Sequence, residues 1–271
     1  MIVLYEPLDT TRLSDVACCP GGLELAGKRF RGDLSETLAW RQQMFDCGMR
    51  GVIAYDEAGP RGFAEYAPAE VAPVPIVAPE AAVLMCYHWA GTPPDDPEHL
   101  AEERKLIEHV VDETRSMFAG LATQGWDIST HFPIPLLEEI GFHEVDRRDP
   151  IALMWLPFDR GTPVPRLVEP TYAPRDLSPD ALLAIDAAFS ARCPYSIHGE
   201  AWLRETVANH PLNDRIRLAV HRIDTRADAL AYAVPPFNWD WIFLNGDEVS
   251  LFELPGEALS AEIARRIESL P

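Results

Sequence analysis

The sequence predicts an α/β protein in which a mixed sheet with flanking helices is followed by a smaller α/β unit. Three observations carry that expectation. The chain has 271 residues, 47% of them hydrophobic, which at roughly 150 residues per domain is enough for two cores. Short runs of β-branched and aromatic residues alternate along it with stretches of helical period. Past the middle lies Asp159-Arg160-Gly161-Thr162-Pro163-Val164-Pro165-Arg166, continuing to Pro170 and Pro174, whose prolines remove backbone donors and favour extended chain. Residues 159–176 therefore read as a linker between a first unit, 1–158, and a second, 177–271.

Met1–Leu4 is a short apolar run suited to a first strand, and Ser35 to Phe45 reads as a helix with Leu38, Arg41, Met44 and Phe45 on neighbouring turns. Val52–Tyr55 and Phe63–Tyr66 flank Asp-Glu-Ala-Gly-Pro-Arg-Gly, a turn-rich connection that predicts a hairpin. Val83 to Trp89 is rich in residues that suit a pleated, half-buried surface. After a Gly-Thr-Pro-Pro break the clearest helix spans about 98–121, where Leu100, Leu106, Ile107, Val110, Val111, Met117, Phe118 and Leu121 make an apolar stripe. Pro135 to Ile140 predicts a short helix closing at Gly141, with strands at Phe142–Arg147 and Ile151–Leu156. In the second unit, 177–190 is open to two readings. Ser178-Pro179-Asp180 is a helix start, whereas Leu183, Ile185, Ala187 and Phe189 alternate as a strand would. Glu200–Asn209 predicts a helix and Arg215–Ile223 a strand. Trp241–Leu244 and Val249–Phe252 form a hairpin turned by Asn245-Gly246, and Ala258–Leu270 closes as a helix.

Lys and Arg number 23 against 43 Asp and Glu, a net charge of −20, so nucleic acid and anionic membrane are excluded as main partners and a cationic or neutral ligand fits better. The five cysteines, Cys18, Cys19, Cys47, Cys86 and Cys193, are too few for a disulfide scaffold and read as reduced thiols. No basic leader with an apolar core and no run of about 18 apolar residues is seen, so the expectation is a cytoplasmic protein without a membrane partner.

The element order over residues 1–157, with Cys18-Cys19, Trp40, Arg61-Gly62-Phe63-Ala64-Glu65-Tyr66-Ala67-Pro68-Ala69-Glu70, Cys86 and Trp89 on one strand, Ile140-Gly141-Phe142 and Leu156-Pro157-Phe158, resembles the GNAT superfamily of N-acyltransferases. Residues 177–271, through Cys193-Pro194-Tyr195-Ser196, Pro236-Phe237 and Phe243-Leu244-Asn245-Gly246, resemble a thioredoxin-like domain. Together the two sets are similar to YoaP-like proteins, in which a GNAT domain precedes such a domain. The fold implied is a GNAT-like mixed sheet plus a small thioredoxin-like α/β domain. The activity implied is transfer of an acetyl or related acyl group from CoA to a small amine.

A GNAT holds its acyl-CoA with backbone N–H groups of the strand and loop before a helix N-terminus, because those donors are unpaired and the dipole favours an anion. Carried onto this chain, the resemblance implies acetyl-CoA as cofactor and Tyr87, His88, Trp89 and Gly91 as the residues holding it. Two departures stand out. The loop Gly91–His99 contains Pro93, Pro94 and Pro97, which lack donors, and Asp95, Asp96 and Glu98, which repel a pyrophosphate or simply complement the helix dipole. The position of the family's general-acid tyrosine is taken by Leu137. Cys86 and His88, two apart on a strand and so on one face, are the substitute catalytic candidates, with a core thiol and a satisfied histidine as the alternative. Cys18-Cys19 read either as two thiols near the substrate entrance or as packing residues, and Cys47 reads as structural. Cys193-Pro194-Tyr195-Ser196 resembles a monothiol glutaredoxin motif, which makes Cys193 a candidate nucleophile activated by a helix N-terminus, with an external thiol as partner. Pro235 or Pro236 would be the cis-proline of that family. A second reading therefore stays open: a GNAT-shaped protein without CoA, working as a thiol-dependent binding or redox module through Cys193.

Overall fold

The computed structural model describes residues 3–19, 33–90, 96–127, 132–149, 151–159, 161–169, 181–232, 241–250 and 257–268. Gly91, Asp95, Ser178-Pro179-Asp180, Pro235 and Pro236 lie outside the described residues. The larger sheet contains β1 (Leu4–Pro7), β2 (Arg50–Asp56), β3 (Gly59–Pro68), β5 (Ala82–Trp89), β6 (Gly120–Trp126), β7 (His143–Arg148) and β8 (Ile151–Pro157), while β4 (Ile76–Val77) pairs apart from it with β9 (Arg166–Leu167). Its spatial order is β1-β2-β3-β5-β6-β8-β7, antiparallel throughout except between β5 and β6.

Strand alternation divides the side chains between two cores. Leu84, Tyr87 and Trp89 of β5 pack with Leu106, Ile107 and Val110 of α2 (Pro97–Thr114) and Leu137 of α3 (Ile134–Ile140). Val83 and Met85 pack on the opposite face with Trp40 and Met44 of α1 (Ser35–Asp46).

The first strand among the described residues runs from Leu4 to Pro7, with Tyr5 and Glu6 opposite Ala54 and Ile53, while Met1 and Ile2 of the expected Met1–Leu4 strand lie outside the described residues. An edge strand tolerates a proline and a charge because one of its sides needs no ladder partner. The long helix stops at Thr114, where the hydroxyl donates back to Val110 O at 2.6 Å, rather than reaching Leu121. Leu121 belongs instead to β6, a strand that the local pattern hides. Gly120 opens it because Trp155 lies across that position, so that a Cβ there would meet the indole at 2.1 Å.

The smaller sheet has the order β11-β10-β12-β13, from β10 (Leu183–Phe189), β11 (Ile216–Arg222), β12 (Trp241–Leu244) and β13 (Asp247–Ser250). β10 is parallel to β11, and the other pairs are antiparallel. Of the doubtful segment, Leu183–Phe189 is thus a strand, central and buried at every residue, Asp186 included, while residues 177–180 lie outside the described residues. Its helices are α4 (Pro194–Ala208), α5 (Arg226–Tyr232) and α6 (Glu257–Glu268). α4 begins six residues earlier than the expected Glu200. Pro194 fits the first helical turn, and the helix absorbs Gly199 at a cost of about 1 kcal/mol.

The two sheets are tied together. Ala191 and Ile197 pack in the core of Trp40 and Met44, Trp40 Nε1 donates to Asp224 O at 2.8 Å, and the Arg226 guanidinium donates to Val74 O and Ile76 O. The stretch read as linker is anchored too: Leu167 N–H donates to Asp146 Oδ2 and Val168 N–H to Pro75 O, each at 2.8 Å. Among the described residues no helix is long and apolar enough to cross a membrane.

Candidate functional site

β5 and β6 are paired only at Ala82↔Leu121 and Val83↔Ala122, whereas β3–β5 and β6–β8 are paired along their lengths. Beyond Val83 the two parallel strands part. The reason lies in β5: Glu65 stands opposite Cys86 and Tyr66 opposite Leu84, so Met85 is an extra residue, a bulge that bends the strand. Thr123 Oγ1 donates to Leu84 O at 3.0 Å where the strands separate. Past the bulge Tyr87 and Trp89 are buried toward α2, while Cys86 and His88 are half-buried and alternate with them, sharing a face as expected. Phe132 meets the Tyr87 ring edge-on at 4.5 Å and its carbonyl accepts from Trp126 N–H at 2.9 Å, with both rings buried in the core against α2.

At the far end of β5 a second group of side chains gathers. His99 Nε2 lies 3.2 Å from Glu103 Oε1 across one turn of α2, and both side chains are buried. Burial pushes Glu103 up to about 8, against the opposing effect of the hydrogen bond its carboxylate accepts from Trp89 N–H. His88 is driven down to about 4, by burial first and then by His99. His88 is thus neutral near pH 7 but holds a proton poorly. Glu103 titrates much closer to neutrality, and sequence reasoning passed it over; its signal was the His99-x-x-x-Glu103 spacing that stacks two groups on one helix face. Asp96 caps α2 by accepting from Glu98 N–H at 2.8 Å, a helix-start role. Leu137 is wholly buried in the α2–α3 core.

The third feature is a meeting of thiols. Cys19 and Cys86 both pack on the cluster of Leu8, Val16, Ile53 and Phe63. Beside them Arg41 Nε donates to Glu65 Oε1 at 2.6 Å and Arg41 Nη1 to Val16 O at 3.0 Å, both side chains being essentially inaccessible. Cys193 is the N-cap of α4, so it stands closer to a helix start than the sequence suggested. Burial raises its pKa and outweighs the Ser196 and Tyr195 backbone groups and Arg192, which pull the other way. Burial likewise pushes Cys86 up to about 12, with Glu65 and Cys193 adding to it, and Cys19 is raised by burial and then by Cys193 and Cys86. Cys18 is buried in the Trp40 core, and Cys47 is exposed at the end of α1. Ser196, where a dithiol motif would have its second cysteine, is fully buried and accepts from Ser190 N–H at 2.8 Å.

Among the described residues no group of three or more His, Cys, Asp or Glu is arranged to hold a metal ion. A cavity of about 390 Å³ lined by His143, Trp155, Phe158, Asp159 and Thr162 lies at the end of β7 and β8, on strands separate from the one that carries Cys86 and His88.

No family model and no curated protein matches the chain. Solved structures do resemble it. YncA of Salmonella typhimurium, described as an acetyltransferase and solved with its cofactor acetyl-CoA, is 13% identical with a TM-score of 0.41, over 58% of this chain and 95% of that one. The ribosomal-protein-S18-alanine N-acetyltransferase of Escherichia coli is 18% identical with a TM-score of 0.39, over 59% and 96%. Spermidine N-acetyltransferase from Vibrio cholerae is 15% identical with a TM-score of 0.39, over 58% and 94%.

Proposed function

We propose that residues 1–158 form a GNAT-type N-acyltransferase unit that moves an acetyl or related acyl group from CoA to a small, cationic amine. The observation carrying this reading is the opening between β5 and β6, which leaves β5 beyond Val83 without a partner strand on that side. Ala90 N–H donates to Arg61 O on the β3 side, so by alternation Tyr87 and Trp89 turn their backbone groups toward the opening. Glu103 holds Trp89 N–H. Tyr87 N–H is then the donor facing a thioester carbonyl, placed to stabilise the oxyanion that forms as an amine attacks. The carbon–sulfur bond breaks and the CoA thiol leaves. The amine's surplus proton needs an acceptor, and Glu103 at about 8 is better matched to that task near neutral pH than His88 at about 4. The net charge of −20 favours the approach of a cationic acceptor.

For residues 177–271 we propose a thioredoxin-like reading. It is supported by the parallel β10–β11 pair joined through α4, the antiparallel β12–β13 hairpin and α6 after it. Both units, in this reading, work in a cytoplasm. Isothermal titration with acetyl-CoA, followed by mass spectrometry of polyamine and aminoglycoside mixtures incubated with protein and acetyl-CoA, tests the acyltransferase. Heat of binding at micromolar to sub-millimolar acetyl-CoA and a mass gain of one acetyl group are expected. No binding at millimolar concentration sinks the proposal.

A further inference from the structure

The motif Cys193-Pro194-Tyr195-Ser196 lacks a second thiol, and Ser196 is committed to the end of β10, where its hydroxyl accepts from Ser190 N–H. A redox partner for Cys193 must therefore come from elsewhere, and the packing brings candidates from the other half of the chain. Cys18 shares one core cluster with Ala191 and Ile197, which stand on either side of Cys193 in sequence. Its neighbour Cys19 packs on the adjacent cluster together with Cys86. The segment holding Cys193 is fixed: Ala191 N–H donates to Asp224 Oδ1 at 2.6 Å and Arg192 N–H to Ser190 Oγ at 3.2 Å. Asp224 O in turn accepts from Trp40 on α1, so the loop is locked against the larger sheet.

Of the two partly exposed thiols, Cys86 is held inside β5, while Cys19 lies outside any helix or strand. Cys19 also has a φ of 42°, a left-handed conformation that side-chain-bearing residues adopt at an energetic cost and that recurs at functional positions. We infer that Cys193 and Cys19 are a redox pair, closing a disulfide that ties the start of α4 to the loop ahead of α1 across the sheet face bearing Cys86 and His88. The reduced protein has five cysteine thiols. With a diazene oxidant the two thiols give up two electrons and two protons to the N=N bond, producing one S–S bond and a hydrazine. With a small disulfide, one thiolate attacks and expels the first small thiol, and the second thiolate attacks the mixed disulfide and expels the other. Because burial raises both thiols, closure is expected to quicken as pH rises and the thiolate fraction grows.

The test treats the full-length chain with diamide at pH 8, quenches with acid and counts thiols in denaturant. The count is expected to fall from five to three in the monomer. A non-reducing tryptic digest is expected to join the Leu13–Lys28 peptide to Cys193–Arg204. Cys18→Ser and Cys86→Ser keep the link and Cys19→Ser loses it. An unchanged thiol count, a link mapped to the Cys86 peptide, a link lost in Cys18→Ser and kept in Cys19→Ser, or cross-links between chains alone would each overturn the inference. If a variant folds poorly, alkylating the remaining thiols of the unmodified sequence and fragmenting the linked peptide between Cys18 and Cys19 keeps the test decisive: a label on Cys18 supports the inference and a label on Cys19 overturns it.

Discussion

Glu103→Gln replaces a buried carboxyl by a neutral group of nearly the same shape, and its effect on stability should depend on pH. The ordinary value for this carboxyl is 4.5 and the folded protein raises it to about 8. Between those values the folded chain holds a proton that the unfolded chain has released, so unfolding gives up that proton and stability falls as pH rises. The interval of about 3.5 pH units, at about 1.4 kcal/mol each, sets a ceiling of about 5 kcal/mol. Only about three of those units fall between pH 5 and pH 8, so a loss of at most about 4 kcal/mol, and ~2–4 kcal/mol in practice, is expected from this group. Urea unfolding at pH 5, 6, 7 and 8 checks it. Other titrating groups contribute to both proteins and largely cancel in the difference, so the wild-type curve should descend relative to Glu103→Gln through this window. Parallel curves from pH 5 to 8 would refute the assignment of a raised carboxyl at this position.

Three further outcomes follow from single contacts. Arg41→Ala leaves Glu65 buried and unpaired, and should cost about 3–5 kcal/mol in urea unfolding, whereas Arg41→Met with Glu65→Leu should cost markedly less. Ser196→Ala orphans the Ser190 N–H and should cost about 1–3 kcal/mol by the same measurement, with wild-type stability refuting the bond. Iodoacetamide at pH 7 should label exposed Cys47 well before Cys193, as mass spectrometry of a time course would show; equal rates would contradict a protonated, sheltered Cys193.

The strands at Val52–Tyr55, Phe63–Tyr66 and Val83–Trp89 were legible because each is specified by its own residues. β6 was not, because its glycine at 120 is demanded by Trp155, on a strand far along the chain, and locally it looks like a helix ending. The early start of α4 was obscured in the same way by Gly199, which a helix anchored at Pro194 can carry. A glycine's reason is often a distant neighbour, and no window of sequence contains it.

The candidate site divides along the same line. Cys86 and His88 share a face because alternation is local, although the bulge at Met85, which parts β5 from β6, shows only in the register with β3. Glu103 was assigned no role from the sequence. Its burial against Trp89 arises from how the helix docks, and this alters the meaning of the net charge. A formal count of −20 treats every carboxyl as ionised, yet Glu103 at about 8 is mostly protonated at pH 7. Asp96 is turned inward to its own helix, accepting from Glu98 N–H. The end of β5 is therefore less hostile to an anionic cofactor near pH 7 than the string of acids after Gly91 implies, and its hostility grows as pH rises past 8. Acetyl-CoA affinity, if Glu103 governs it, should weaken from pH 7 to pH 9 in the wild type and stay level in Glu103→Gln; equal weakening in both would assign the repulsion to Asp96, Glu98 or the loop before them.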